Sequence, residues 1–326
     1  MTKLRWGFLG ASRIGRGALA PAVHTAGHTL LAVAARDPSR AEAFAREQGA
    51  ARAYGSYEEL LADPDVDLVY NALPNDAHLP LTVAALEAGK HVLCEKPLAM
   101  NAHEVRELRA AERRTGRVVL EAFSYRFHPQ IDAAREIVLS GELGEVRAAR
   151  AAFSFTLDRP DDFRWKPEQG GGGLYDVGCY CVNAVRRVLD REPRRAWAVS
   201  RDEGGVDVHL AGLLDLGGGV SAGFDCGISS AYHQFLEVVG ERSVLRLARP
   251  YSSKGTEVTL TVGDDVRTFE PMDPYAEMVA HLGRVALGEE APRFPLAESE
   301  AQALVLDALF ESARTGRVVE IPAVPA

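Results

Sequence analysis

The chain is poor in the features that mark secreted, membrane-embedded and nucleic-acid-binding proteins. Four cysteines in 326 residues (Cys94, Cys179, Cys181 and Cys226) fall at irregular spacing that suits neither a disulfide framework nor a zinc site. They read as small buried residues of a protein kept in a reducing cytoplasm. No run approaches about 18 consecutive apolar residues, so no transmembrane helix is expected. The first residues also lack the apolar core of a signal peptide. Positive charge is the minority sign: 37 Lys and Arg stand against 46 Asp and Glu, a formal net charge of −9. That balance argues against nucleic acid or an anionic membrane as the main partner. Internal repeats and long low-complexity linkers are absent too. The expectation is a soluble cytoplasmic protein, and 326 residues suit two domains better than one core.

What is present is an alternation. Apolar strand candidates at 4–9, 29–34, 67–72, 91–95 and 117–121 are separated by amphipathic, alanine-rich helices near 14–25, 39–48, 56–62, 78–88 and 101–115. Gly27, Gly49, Gly89 and Gly116 stand where those helices should end. Strand–helix alternation with short loops predicts an α/β doubly wound parallel sheet over residues 1–123. The texture then changes. A helix near 128–140 is followed by alternating segments at 145–156, 195–201, 206–216, 219–226, 233–239 and 257–262, with turns such as Gly217-Gly218-Gly219. Helices near 174–190 and 297–315 and a last strand at 317–321 complete a second α/β domain, 124–326. Its large sheet is expected to be mostly antiparallel and open, with one face covered by helices.

The motifs fall at the strand ends. Gly10, Ser12 and Gly15 occupy the i, i+2 and i+5 positions of a dinucleotide fingerprint, with serine for the middle glycine. Arg13 and Ile14 lie inside that turn. At the end of the second strand Arg36 stands where NAD-selective sites carry an acid, and Arg40 follows one helical turn later. Two guanidinium groups there suit a 2′-phosphate and favour NADP over NAD; the plainer reading makes Arg40 a solvated helix residue and Asp37 an N-cap. The third strand leads into Leu73-Pro74-Asn75-Asp76-Ala77-His78, at the sheet edge where such folds bind ligands, and the fourth into Glu95-Lys96-Pro97. Later, Gly170 to Gly173 precede Asp176 and Tyr180, four apart and so on one helical face. A lysine, a carboxylate and a phenol beside a dinucleotide are the parts needed to move a proton alongside a hydride. Metal chemistry is not expected, because His24 and His28, spaced i,i+4, have no acid or third ligand with them.

These segments, with Glu121-Ala122-Phe123 and Tyr125-Arg126-Phe127-His128-Pro129, resemble the glucose-fructose oxidoreductase/inositol dehydrogenase/rhizopine catabolism (Gfo/Idh/MocA) family over nearly the whole chain. Within it they resemble the branch of dimeric dihydrodiol dehydrogenase and NADP-dependent D-xylose dehydrogenase. The resemblance implies a Rossmann domain followed by an α/β domain whose open sheet forms a homodimer interface. It assigns Lys96 to the nicotinamide and reacting carbon, Asp176 to the substrate, and Tyr180 to acid/base work. Ala35, where NADP-using relatives often carry serine, is a departure from the pattern. Cofactor contacts are expected from Gly10, Ser12, Arg13, Ile14, Arg36, Arg40, Leu73, Asn75, His78, Glu95 and Lys96. Weaker substrate candidates are Arg164, Trp165 and Tyr125; Tyr125 and Arg126, at the domain junction, and Tyr275, from the second domain, are expected to face the cofactor, and Phe153, Phe155, Phe163 and Trp165 to form an aromatic wall. The expected activity is hydride transfer between a nicotinamide cofactor, NADP favoured, and a sugar, polyol or cyclic diol. The alternative is a non-catalytic dinucleotide-binding regulator, which would have no need of Lys96, Asp176 and Tyr180 together.

Overall fold

The computed structural model describes residues 2–324. The chain divides into two units, one of residues up to Ser124 with Asp273–Ser299, the other of Tyr125–Met272 with the residues from Glu300 on. The first unit begins with β1 (Arg5–Leu9), a π-helical turn Gly15–Leu19 that runs into α1 (Ala20–Thr25), β2 (Thr29–Ala34) and α2 (Pro38–Gln48). It continues with β3 (Arg52–Tyr54), α3 (Tyr57–Ala62), β4 (Leu68–Asn71), α4 (His78–Glu87), β5 (His91–Cys94), α5 (Ala102–Thr115) and β6 (Val119–Glu121). Among the described residues these strands form a six-stranded parallel sheet in the order β3-β2-β1-β4-β5-β6.

Helices cover both faces of this sheet, which is why β4, β5 and β6 are buried at every residue and read as apolar runs. Phe8 of β1 meets Tyr70 of β4 edge to face at 5.0 Å in the centre. Strand order reverses between β1 and β4, and such a switch point opens a crevice at the carboxyl ends of the strands. The loops after β1, β4 and β5, which carry the candidate residues, all leave from that edge.

The second unit contains α6 (Pro129–Leu139), β7 (Val146–Thr156), a π-helical turn Leu174–Gly178 continuing as α7 (Cys179–Leu189), β8 (Arg195–Glu203) and β9 (Val206–Asp215). There follow β10 (Ser221–Gly227), β11 (Ser229–Gly240), β12 (Val244–Leu247), β13 (Val258–Val262) and β14 (Asp265–Phe269). After α8 (Pro274–Ala286), α9 (Leu296–Thr315) and β15 (Val319–Glu320) close the chain's regular structure. The described strands form a nine-stranded sheet, β14-β13-β12-β11-β7-β10-β9-β8-β15, antiparallel except where β10 runs parallel to β7. One face is covered by helices: α7 packs on the central β7, β10 and β11, α6 on β13, and the Ser312 hydroxyl of α9 accepts the Ala198 N–H of β8 at 2.9 Å. The other face is open, with Trp197, Val199 and Leu213 exposed on β8 and β9.

The helix α8 has no counterpart in the expected elements, and it joins the first unit, although its sequence lies within the segment 124–326. It packs against the start of that unit so closely that a side chain at Gly283 would meet His28 Nε2 at 2.4 Å. The four cysteines are free and buried. No described helix is long and apolar enough to cross a membrane.

Candidate active site

Candidate residues lie in both units. In the first, Gly10 leaves β1 with φ +96, and a Cβ there would stand 2.9 Å from Leu73 Cδ2. Only glycine permits both this backbone and that approach of the β4 loop. The Ser12 hydroxyl oxygen accepts the Gly15 N–H at 3.0 Å, which leaves its own proton available for donation to a phosphate oxygen. Arg13 is exposed and Ile14 half-buried beside this turn. A glycine turn opening a helix at the switch point is a built anion site, so these residues fit a dinucleotide pyrophosphate.

Arg36 and Arg40 are both exposed at the end of β2. Asp37 is the N-cap of α2, its Oδ1 accepting the Ser39 N–H at 3.0 Å, and its hydrogen bonds with Ser39 hold its carboxyl below the usual range. Burial raises the Tyr57 phenol, against the pull of Arg36 and Arg40 beside it. Two guanidinium groups and a phenol are thus neighbours past the end of β2, the strand whose end faces the ribose of a dinucleotide in this architecture.

Asn75 is buried in the turn after β4. His78 is fully buried, with Nδ1 2.8 Å from the Pro97 carbonyl and Nε2 3.0 Å from the Leu73 carbonyl. Neither nitrogen is left for a ligand, so the ring braces the loop after β4 against the loop after β5 instead of touching a cofactor. Burial lowers its pKa against the opposing effect of the two carbonyls.

The β5 loop is held from several sides. Glu95 accepts the buried Tyr70 hydroxyl at 2.6 Å and the Lys96 N–H at 3.3 Å. Glu121 accepts the Leu98 N–H at 3.0 Å and the Ser299 hydroxyl at 2.7 Å. Tyr275, expected from the second domain, belongs to the first unit through α8. Burial and Glu95 raise its phenol, while Ser124 and the charge of Lys96 act the other way. Lys96 therefore stands half-buried on a rigid loop, between a carboxylate and a phenol.

In the second unit, Asp176 sits in the π-helical turn and Tyr180 in the first turn of α7. Asp176, 8% exposed, forms an ion pair with Arg164 at 2.7 Å (Nε to Oδ2). Arg164 also donates from Nη1 to Asp162 at 3.0 Å. Burial disfavours the guanidinium charge, but Asp176 and Asp162 more than restore it. Trp165 is turned away, its Nε1 donating to the Arg159 carbonyl at 2.9 Å while the ring packs with Phe155 on Leu157, Val206, Val208 and Ile228.

Tyr180 is half-buried among aromatic rings: Phe153 at 5.5 Å, Tyr251 at 5.6 Å and Tyr125 at 5.7 Å between centroids. The Tyr125 hydroxyl donates to Asn183 Oδ1 at 2.6 Å, and Arg126 Nε donates to the same oxygen at 2.8 Å. The expected aromatic wall is thus divided. Phe153 joins Tyr180, Phe155 and Trp165 serve a small core, and Phe163 lies under the Arg164 guanidinium at 4.7 Å. Tyr251 and Asn183 went unnoticed in the sequence. Asn183 carried a signal, a polar residue three positions after Tyr180 on the buried face of a helix; Tyr251 carried none.

His24 Nε2 is 3.2 Å from the Gln48 carbonyl, and His28 Nδ1 accepts the Leu4 N–H at 3.4 Å. Among the described residues no cluster of three His, Cys, Asp or Glu could hold a metal ion.

Comparison with known proteins extends over both units. Residues 4–123 match the Gfo/Idh/MocA oxidoreductase family with an NAD-binding Rossmann fold, and residues 131–246 match the Gfo/Idh/MocA C-terminal domain. The chain is 39% identical to D-xylose 1-dehydrogenase (NADP(+)) 2 of Haloferax volcanii, covering 98% of this chain and 100% of that protein. It is 38% identical to trans-1,2-dihydrobenzene-1,2-diol dehydrogenase of Mus musculus, covering 93% and 95%. Among solved structures, the 3-ketoreductase KijD10 of Actinomadura kijaniata with NADP and TDP-benzene superposes with a TM-score of 0.91 at 29% identity, covering 95% of this chain and 98% of that one. The aldose-aldose oxidoreductase of Caulobacter crescentus with glycerol gives 0.90 at 26% identity, covering 98% and 100%.

Proposed function

The chain belongs to the Gfo/Idh/MocA oxidoreductase family, and on that premise we propose that it is an NADP-dependent dehydrogenase or reductase of a sugar, polyol or cyclic diol. The observation that carries this reading is the presence of Lys96, Asp176 and Tyr180 together in a chain matched end to end by dehydrogenases. Gly10, Ser12, Arg13 and Ile14 hold the pyrophosphate, and Arg36, Arg40 and Tyr57 hold the 2′-phosphate. Leu73, Asn75, Glu95 and Lys96 meet the ribose and nicotinamide. The bound nicotinamide supplies a hydride acceptor or donor.

Tyr180 exchanges the proton of the substrate hydroxyl. A phenol in water ionises near ~10, so proton transfer at neutral pH calls for a cation, and Lys96 supplies it. Asp176, fixed by Arg164, accepts a second hydroxyl of the substrate and orients the ring, and the rings of Tyr125, Phe153 and Tyr251 hold that of Tyr180 in place. Such a set suits vicinal diols, whether carried by a sugar or by a carbocycle.

The test is fluorescence titration with NADPH and NADH, then absorbance at 340 nm with aldoses, polyols and trans-diols. Tyr180→Phe is expected to lower kcat by roughly 10²–10⁴-fold with NADPH affinity unchanged. Near-normal turnover of that variant would remove Tyr180 from the chemistry. We further propose a cytoplasmic homodimer formed through the open face of the second sheet, supported by Trp197 and Leu213, register partners and both over 40% exposed. A monomer in sedimentation velocity refutes it.

A further inference from the structure

Asp207 lies near the start of β9, far in sequence from every motif above. It is 7% exposed, and its carboxylate is turned onto the glycine run. Oδ2 accepts the Leu174 N–H at 2.6 Å, and Gly173 backs onto the same oxygen, where a Cβ would stand 3.5 Å from it. A Cβ on Gly172, whose φ is +109, would stand 2.0 Å from Oδ1. Leu174 opens the π-helical turn that bears Asp176 and runs without a break into the helix that bears Tyr180. The residue at the N-cap is Gly173, which has no side chain to satisfy the first N–H groups. A strand 33 residues away supplies what the cap lacks.

We propose that Asp207 is a positioning residue: by capping the Gly172–Leu174 turn from β9, it sets the direction in which Asp176 and Tyr180 leave their helix. This rests on the role proposed for those two residues. A negative group at a helix N-terminus also matches the positive end of the helix dipole, so the ionised carboxylate holds the turn more firmly than the neutral acid. Burial pushes the carboxyl up to about 7, against the pull of the Leu174 N–H, and Asp202 across the strand pair pushes it the same way. From β10 the buried Cys226 thiol faces it, itself raised by burial. The cap therefore changes charge within the neutral range.

The experiment compares Asp207→Asn and Asp207→Ala with the native protein, using NADPH as the cofactor probe. Asp207→Ala should lower kcat about 10²-fold at pH 8 and about tenfold at pH 6, with the NADPH dissociation constant unchanged and the circular dichroism spectrum native. Asp207→Asn keeps an oxygen to accept the Leu174 N–H but cannot ionise. It should match native kcat at pH 6, fall roughly tenfold below it at pH 8, and lose the ionisation near 7 from its kcat profile. A merely structural residue would not move that profile. Native kcat in Asp207→Ala, or an unchanged profile in Asp207→Asn, overturns the proposal.

Amide hydrogen exchange at Gly173–Asp176 separates this from failure of the proposed reaction. Exchange there should quicken at least tenfold in Asp207→Ala even if no substrate turns over. Unchanged protection refutes the cap whether or not the protein is a dehydrogenase.

Discussion

Replacing Gly172 by alanine tests the closest approach in the second unit. Two costs add. A φ of +109 is a conformation that residues with a Cβ adopt at a cost of about 1–3 kcal/mol. The new Cβ would also stand 2.0 Å from Asp207 Oδ1, so the carboxylate must withdraw by more than 1 Å to reach ordinary contact, judged against the ~3.4 Å that two such atoms tolerate. Its 2.6 Å bond to the Leu174 N–H does not survive that movement. A buried hydrogen bond to a charged group contributes about 1.5–3 kcal/mol, so the total comes to roughly 3–6 kcal/mol. Gly49 is the control: its φ is +75 with nothing within 4 Å, so alanine there should cost only about 1–2 kcal/mol. Calorimetry resolves the transition of each unit, which a chain of two units requires. The double variant Gly172→Ala with Asp207→Ala should show a coupling of about 2 kcal/mol, because the alanine no longer has a carboxylate to displace. Equal costs at Gly172 and Gly49, or strict additivity in the double variant, would refute the reasoning.

Replacing Arg36 and Arg40 together by alanine should weaken NADPH binding by about 10–100-fold, leave NADH binding near its native value, and so narrow the preference between cofactors in a fluorescence titration. His91 gives a pH prediction. Burial and then Arg117 push its imidazole down to about 4, and its Nδ1 accepts the Val118 N–H at 3.2 Å. The native ring thus binds a proton less readily than the unfolded one, near ~6.5. Its contribution is complete above pH ~6.5, falls as the pH drops towards 4, and levels off below, a loss of about 3 kcal/mol. His91→Gln should flatten that limb of the stability profile in urea titrations, and an unchanged limb would show that another group carries it.

The parallel sheet could be read from the sequence because strands buried on both faces are written as apolar runs, as in Leu68–Asn71 and His91–Cys94. β3 escaped because Arg52–Tyr54 is three residues long and only partly buried, held as much by ion pairs of Arg52 with Asp63 and Asp65 as by apolar contact. β14 escaped because Asp265–Phe269 is an edge strand with little apolar surface to bury. For α8 the signals were present: Asp273 caps the helix, Pro274 starts it, and Met278, Val279 and Leu282 fill its buried face. No local pattern, however, states that a helix late in the chain packs against α1. The same limit governs the candidate site. Spacing placed Asp176 and Tyr180 on one helical course, and a glycine fingerprint placed Gly10 and Ser12. The ion pair of Asp176 with Arg164, the ring of aromatics round Tyr180 and the cap from Asp207 depend on which strands lie side by side. His78 shows the converse, a motif residue whose two nitrogens are both taken by backbone carbonyls.

The return of Asp273–Ser299 to the first unit bears on how the polypeptide is made. A ribosome delivers the chain from its amino end at about 5–20 residues per second, and a domain can close only when its last piece has emerged. The six strands of the parallel sheet are out early, yet the cleft in which Gly283 meets His28 waits until β7 to β14 have all been synthesised. The unit that starts the chain is therefore among the last parts to be finished. A gene cut after Ser124 would yield a nascent sheet with one helix permanently missing.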